Sequence, residues 1–108
     1  MTSTIPNIDL APPFVSESDV IGSKVGIRPV RKDGIRLERE AFQNKTIYHH
    51  YGHGSAGASI SPGTAKLIIE KFEENYTKNQ EIAVLGSGYA GLFTALFLSE
   101  KGYSVTIY

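Results

Sequence analysis

The sequence contains no cysteine. That absence removes disulfides, thiolate metal sites and thiol nucleophiles together, and it leaves the redox compartment undetermined. There is no excess of either charge, because 11 Lys and Arg balance 11 Asp and Glu. A balanced chain offers no electrostatic case for nucleic acid or for an anionic membrane surface as partner. No stretch approaches the ~18 consecutive apolar residues of a membrane-spanning helix. The first ten residues have neither the basic start nor the apolar centre of a secretory signal. The expected class is soluble and intracellular, with a cytoplasmic location and a peroxisomal one left open. At 108 residues there is space for one small domain at most, which buries only a modest fraction of its surface.

What is present divides at residue 25. Residues 1–24 form a Ser-, Thr-, Pro- and Asp-rich lead-in that reads as extended. In residues 25–31 (VGIRPVR) β-branched residues alternate with Arg, and Pro29 points to an edge strand or a bulge. Asp33-Gly34 is a turn signal before IRLER, so a β-hairpin is expected over 25–39. TIYHHY at 46–51 reads as a third strand, and 52–63 as a small-residue loop. Ser61-Pro62 has the chemistry of a helix start, with Ser as N-cap. Ala65, Ile68, Ile69, Phe72 and Tyr76 then recur at helical spacing. Residues 81–85 read as a short strand, 92–100 as a helix buried on nearly all sides, Gly102 as its cap and 104–108 as a last strand.

The segment EIAVLGSGYAGLFTALFLSEKGYSVTIY is strand, G-x-G-x-x-G, helix, strand. Gly86 permits the tight turn, Gly88 lets backbone approach a pyrophosphate, and Gly91 lets helix pack on strand. Tyr89 and Ala90 lie at the helix N-terminus, whose N–H groups and partial positive charge suit phosphates. A lone fingerprint is a weak signal, but here its strand and helix context is present on both sides. The acid expected about 20 residues on would fall just after Tyr108, so this segment alone does not separate FAD from NAD.

A second small-residue run, YGHGSAGASISPG, has little side chain to pack. Gly54, Ser55, Ala56, Gly57, Ala58 and Ser59 suit close approach of a flat ligand to backbone, the alternative being a flexible linker. His49, His50 and His53 have no carboxylate or cysteine partners at metal-ligand spacing, which argues against zinc.

HHYGHGSAGASISPGTA resembles the flavin-binding signature near the C-terminus of D-amino acid oxidases. His49, His50, Tyr51, Gly52, Gly54, Ser55, Gly57, Gly63 and Ala65 fit it. VGIRPVRKDGIRLERE resembles the segment that precedes that signature, and the stretch from Glu81 resembles the family's N-terminal FAD motif. The family often has Gly, an aromatic residue, Leu and Thr where this chain has Ser55, Ala56, Ala58 and Ser59, and an aliphatic residue at Tyr48. The resemblance implies FAD as cofactor, held by residues 54–59 and by Gly86, Gly88, Tyr89, Ala90 and Gly91. It implies Arg28 for the substrate carboxylate, with Ser55 beside the substrate. A guanidinium suits that task because its planar fork pairs two carboxylate oxygens at once. The implied reaction is oxidative deamination of an amino acid by hydride transfer to flavin, with O2 giving hydrogen peroxide. No side chain is an obvious general base, and a substrate amine bound neutral needs none.

The order of these segments is the reverse of the family's. A circular permutation accounts for this, as does a tandem junction of two copies, but only about twenty residues precede VGIRPVR. The expected fold is therefore α/β: a partial Rossmann-like FAD-binding domain with a parallel βαβαβ core and an N-terminal hairpin, permuted and incomplete. Within it, 25–80 is the C-terminal-type segment and 81–108 the N-terminal-type segment. The substrate domain would come from the rest of the enzyme or from a second chain. The competing readings are a non-catalytic nucleotide-binding or assembly subunit and an NAD-binding Rossmann module.

Overall fold

A computed structural model describes residues 9–108. The part of the expected lead-in that falls on 1–8 lies outside the described residues. Residues 9–35 carry no strand, only a short 3-10 turn at Glu17–Asp19. The regular elements then follow in order. They are β1 (Arg36–Phe42), β2 (Lys45–Tyr51), α1 (Gly57–Glu73), β3 (Ile82–Val84), α2 (Tyr89–Glu100) and β4 (Val105–Ile107). The class is mixed α/β, as the sequence predicts. No described helix is long and apolar enough to cross a membrane.

The hairpin lies later in the chain than the turn signal suggests. β1 and β2 pair antiparallel from Arg36↔Tyr51 to Phe42↔Lys45, around Gln43-Asn44. Gln43 takes a φ of 54°, a conformation that glycine usually supplies, so nothing in its residue type announces the turn. Asp33-Gly34 does turn, with the Gly34 N–H donating to the Arg31 carbonyl at 3.1 Å, but residues 25–31 form no strand before it. The physical reason is at Pro29. Proline has no N–H for a ladder, and the Val30 N–H closes a three-residue turn onto the Arg28 carbonyl at 3.0 Å.

α1 starts at Gly57, four residues before the expected Ser61 cap. Ser61 and Pro62 lie inside the helix, and the Ser61 side chain is buried. The small residues between 56 and 60 are compatible with helix, and the Ile60 N–H already donates to the Ala56 carbonyl at 3.0 Å. α2 ends as its glycine predicts. Gly102 at φ 89° lets its own N–H reach the Ser99 carbonyl and the Tyr103 N–H reach Leu98, a Schellman closure.

The sheet differs from the expected parallel βαβαβ. β3 and β4 pair in parallel, Ile82↔Val105 to Val84↔Ile107, with α2 as crossover. The Gly86 N–H extends the ladder by donating to the Tyr108 carbonyl at 2.8 Å. Among the described residues β2 pairs with β1 alone and does not join β3. A two-residue turn closes β1 on β2 at little entropic cost, whereas joining β3 spans all of α1.

The core lies where the two helices pack on each other and on the strands. Ile68 and Ile69 of α1 meet Leu98 of α2, flanked by Leu37, Tyr48, Phe72 and Val105. Phe72 stands edge-on to Tyr48 at 5.6 Å and to Tyr103 at 5.4 Å, arrangements that add to simple burial. Glu73 at the end of α1 accepts from Lys101 Nζ at 3.0 Å and from the Tyr103 hydroxyl at 3.2 Å, which ties the helix ends together. α2 is not buried all round as expected. Ala95 and Leu98 are buried, but Leu92 is 48 % and Leu96 49 % exposed. An apolar helix has one face covered here and the opposite face bare.

Candidate cofactor-binding site

The two glycine segments meet. A cleft of about 750 Å³ is walled on one side by Gly52 to Ser55 with Gly57, Ala58 and Ser61, and on the other by Gly88, Tyr89 and Ala90. Pro29, Val30 and Arg31 close one end. The volume lies in the range of sites that take organic cofactors.

The loop wall is a tight, left-handed structure. His53 to Ala56 is a turn whose central residues both have positive φ, 59° at Gly54 and 68° at Ser55, closed by the Ala56 N–H on the His53 carbonyl at 3.0 Å. Serine is uncommon in that region, and such residues concentrate at functional sites. Gly52 at φ 95° packs on the neighbouring turn. A Cβ there would lie 3.0 Å from the Gly34 carbonyl oxygen and 3.2 Å from the Arg31 side chain.

The glycines of the fingerprint divide by what requires them. Gly86 has a φ of 108°, and a Cβ on Gly91 would drive into the Gly86 carbonyl. Both are demanded by the fold, and neither lines the cleft. Gly88 has an ordinary φ of −77° and nothing within 4 Å of where a Cβ would be. The chain itself does not need glycine there, so the open space is available to a ligand.

Both helices also begin at the cleft. α1 starts at Gly57 and α2 at Tyr89, neither has a side-chain cap, and neither has an acid in its first turn. Unpaired N–H groups and two positive dipole ends therefore face one cavity, an arrangement suited to an anion such as a pyrophosphate. A Cβ on Gly57 would lie 3.7 Å from both the Tyr89 ring and Ser61 Oγ, so the helix starts are in contact range. Ser61 Oγ is fully buried, lines the cleft and has no hydrogen-bond partner among the described residues. A buried hydroxyl without a partner costs about 1–3 kcal/mol, which a ligand atom in the cleft would offset. The residues thus fit a dinucleotide such as FAD on their own geometry.

The predicted site residues fall into three groups. Gly54, Ser55, Gly57, Ala58, Gly88, Tyr89 and Ala90 line the cleft together. Ala56, Ser59, Gly86 and Gly91 support its walls from outside, and the Ser59 hydroxyl donates to the Ala56 carbonyl at 3.1 Å. Arg28 lies in an exposed segment beside the cleft end, outside the lining. Arg31 of the same RPVR group does line it, with Nη1 donating to the Gly34 carbonyl at 3.0 Å and Nη2 3.7 Å from Asp33. Sequence reasoning missed Ser61, whose Ser-Pro context reads as a cap, and His53, which carries no partner at metal-ligand spacing.

Alternation along β2 separates the adjacent histidines. His49 Nε2 bonds the Glu40 carboxylate at 2.7 Å on the exposed face. His50 turns inward to Thr94 and Thr64, at 2.9 Å and 2.8 Å. Burial and the nearby His53 push the His50 imidazole down to about 4.

No protein-family profile matches the chain, and no solved structure matches it. Curated proteins do. The chain is 41 % identical over 75 residues to a D-aspartate oxidase of Cryptococcus neoformans var. grubii, covering 66 % of this chain and 19 % of that protein. It is 40 % identical over 62 residues to a D-amino-acid oxidase of Dictyostelium discoideum, 56 % of this chain and 18 % of that one. It is 49 % identical over 49 residues to the human D-aspartate oxidase, 42 % of this chain and 14 % of the human protein. The chain spans less than a fifth of the length of these relatives. With two glycine turns and two bare helix starts on one cleft, the chain is similar to one portion of several D-amino-acid and D-aspartate oxidases.

Proposed function

We propose that this chain forms the FAD-contacting part of a flavoenzyme that oxidatively deaminates a D-amino acid. The observation that carries the reading is the convergence of two uncapped helix N-termini and two glycine-rich turns on a single cleft. Bound FAD would supply the electron-accepting chemistry, with O2 as final acceptor and hydrogen peroxide as product.

The chain's own residues do the rest. Gly88, Tyr89 and Ala90 offer backbone N–H groups to the pyrophosphate, and Gly88 leaves space for its approach. Gly54, Ser55, Gly57 and Ala58 lay backbone and small side chains against the ring, so that backbone dipoles stabilise negative charge there. Arg28 takes the substrate carboxylate. Among the described residues it forms no ion pair, whereas Arg31 is engaged by Asp33 and the Gly34 carbonyl. Ser55, held at positive φ on the loop, lines the cleft and would stand beside the substrate.

The segment order is that of a permuted family member, with Thr77 to Gln80 as the new join. There the Thr77 N–H donates to the Gln80 side chain at 3.2 Å. The substrate domain is supplied by further polypeptide, which would cover the bare face of α2. The test is flavin titration and D-amino-acid turnover by the natural polypeptide that carries this chain, with its intact mass. A protein that binds no FAD would end the flavoenzyme reading. A mass equal to 11.8 kDa together with FAD binding would make the chain an assembly subunit instead.

A further inference from the structure

A continuous line of hydrogen bonds runs behind the cleft from one wall to the other. His53 Nε2, on the loop wall, meets Thr64 Oγ1 at 2.9 Å. Thr64 Oγ1, on α1, meets His50 Nε2 at 2.8 Å. His50 Nδ1, on β2, meets Thr94 Oγ1 at 2.9 Å. Thr94, on α2, donates to the Ala90 carbonyl at 2.8 Å. The two ends, His53 and Ala90, line the cleft, and the three residues between them do not.

Counting protons orders this line. Each hydroxyl and each neutral imidazole has one proton to give. Thr94 gives its proton to Ala90, so it accepts from His50, which is then the Nδ1–H tautomer. His50 Nε2 accepts from Thr64, and Thr64 accepts from the Nε2–H of His53. Every donor of the line is used, at 2.8 to 2.9 Å throughout. The other outlets for the Thr64 proton, the Ile60 and Ser61 carbonyls, are longer at 3.2 and 3.3 Å. Using them would require either a charged His50 or loss of the Thr94–Ala90 bond. Burial of His50 and its ring contact with His53, at 5.0 Å between centroids, oppose the charge.

We propose that Thr64, His50 and Thr94 are positioning residues for the cofactor: their ordered hydrogen bonds hold the His53 loop and the first turn of α2 at the separation the ligand requires. The inference rests on the FAD reading of the cleft. Both walls are otherwise built from small residues with few side-chain contacts of their own, so their spacing depends on what lies behind them. Preorganised walls bind more tightly because less motion is lost on binding.

The experiment uses the natural polypeptide that carries this chain, stripped of flavin and titrated with FAD by fluorescence quenching. Thr64→Val removes the hydroxyl and keeps the shape, and is expected to weaken FAD binding by about tenfold, the effect of one well-placed hydrogen bond. Thr64→Ser is expected to restore affinity to within about threefold, because the relay needs the oxygen and not the methyl. 15N spectra of the wild-type apoprotein should show His50 as Nδ1–H and His53 as Nε2–H. Equal FAD affinity in wild type and Thr64→Val overturns the proposal, as does a Thr64→Ser protein as weak as Thr64→Val. If Thr64→Val fails to fold, the 15N spectra decide, and a His50 found as Nε2–H overturns the proton order. Wild-type protein that binds no FAD would end the cofactor reading itself, a result distinct from all of these.

Discussion

At the scale of single residues, the glycines illustrate two different demands. Gly91 is required by the fold, because a Cβ there meets the Gly86 carbonyl. Gly91→Ala is predicted to lower stability by about 1–3 kcal/mol, as overpacking does, measured by urea denaturation. Gly88→Ala should leave stability nearly unchanged, since nothing lies within 4 Å, and should weaken FAD binding instead. Equal stability loss in both variants would refute the division. Arg28→Ala is predicted to raise KM for a D-amino acid strongly with flavin retained, while Arg31→Ala loosens the 31–34 turn. A KM unchanged in Arg28→Ala and raised in Arg31→Ala would reassign the carboxylate to Arg31. His50 yields a prediction in pH. Its folded value of about 4 lies below the ordinary imidazole value of 6.5, so the unfolded chain takes up the proton first. Its contribution to stability is therefore full above 6.5, declines as pH falls towards 4, and levels off below. Urea midpoints measured across that window should trace the decline, and His50→Gln should flatten it.

At the scale of elements, the hairpin and the first helix show where local signals compete with context. Gln43 holds a φ of 54° without being glycine. Gln43→Gly should therefore stabilise the β1–β2 hairpin by up to about 1 kcal/mol, read as a raised Tm. No gain would mean that Gln43 makes a compensating contact. The periodicity of Ile68, Ile69 and Phe72 was legible because one helical face meets the core. The helix start was not. Ser61-Pro62 satisfies the chemistry of a cap, yet the helix begins earlier, where the small residues from Ala56 onward turn around the cleft. Pairing was legible only where it is local. The β3–α2–β4 unit follows from its fingerprint, but whether β2 joins β3 depends on packing across the length of α1.

At the scale of the whole molecule, exposed area is the informative quantity. The accessible surface is 9215 Å², against roughly 5,900 Å² for a folded monomer of this mass by the usual scaling. Ile27, Leu85, Leu92, Leu96 and Tyr108 are all exposed, and among the described residues five hydrophobic ones are buried. Surfaces of that kind are ordinarily covered by more protein. The 108-residue chain expressed alone is therefore predicted to self-associate, measured by sedimentation, and to become monodisperse when co-expressed with a partner that covers these apolar residues. A monodisperse monomer of the isolated chain would refute this.

The chemistry on offer is legible in the residues alone: a dinucleotide fingerprint in its strand-helix setting, a second glycine turn, and a resemblance that its relatives bear out. These signals are local, since turns, caps and close approaches are set by neighbouring residues. Tertiary structure alone decided that both turns share one cleft, that Arg31 and Ser61 line it, and that two threonines and two histidines tie its walls. Those facts join residues as far apart as His50 and Thr94, and only the packing of α1 between β2 and α2 brings such groups within hydrogen-bonding distance.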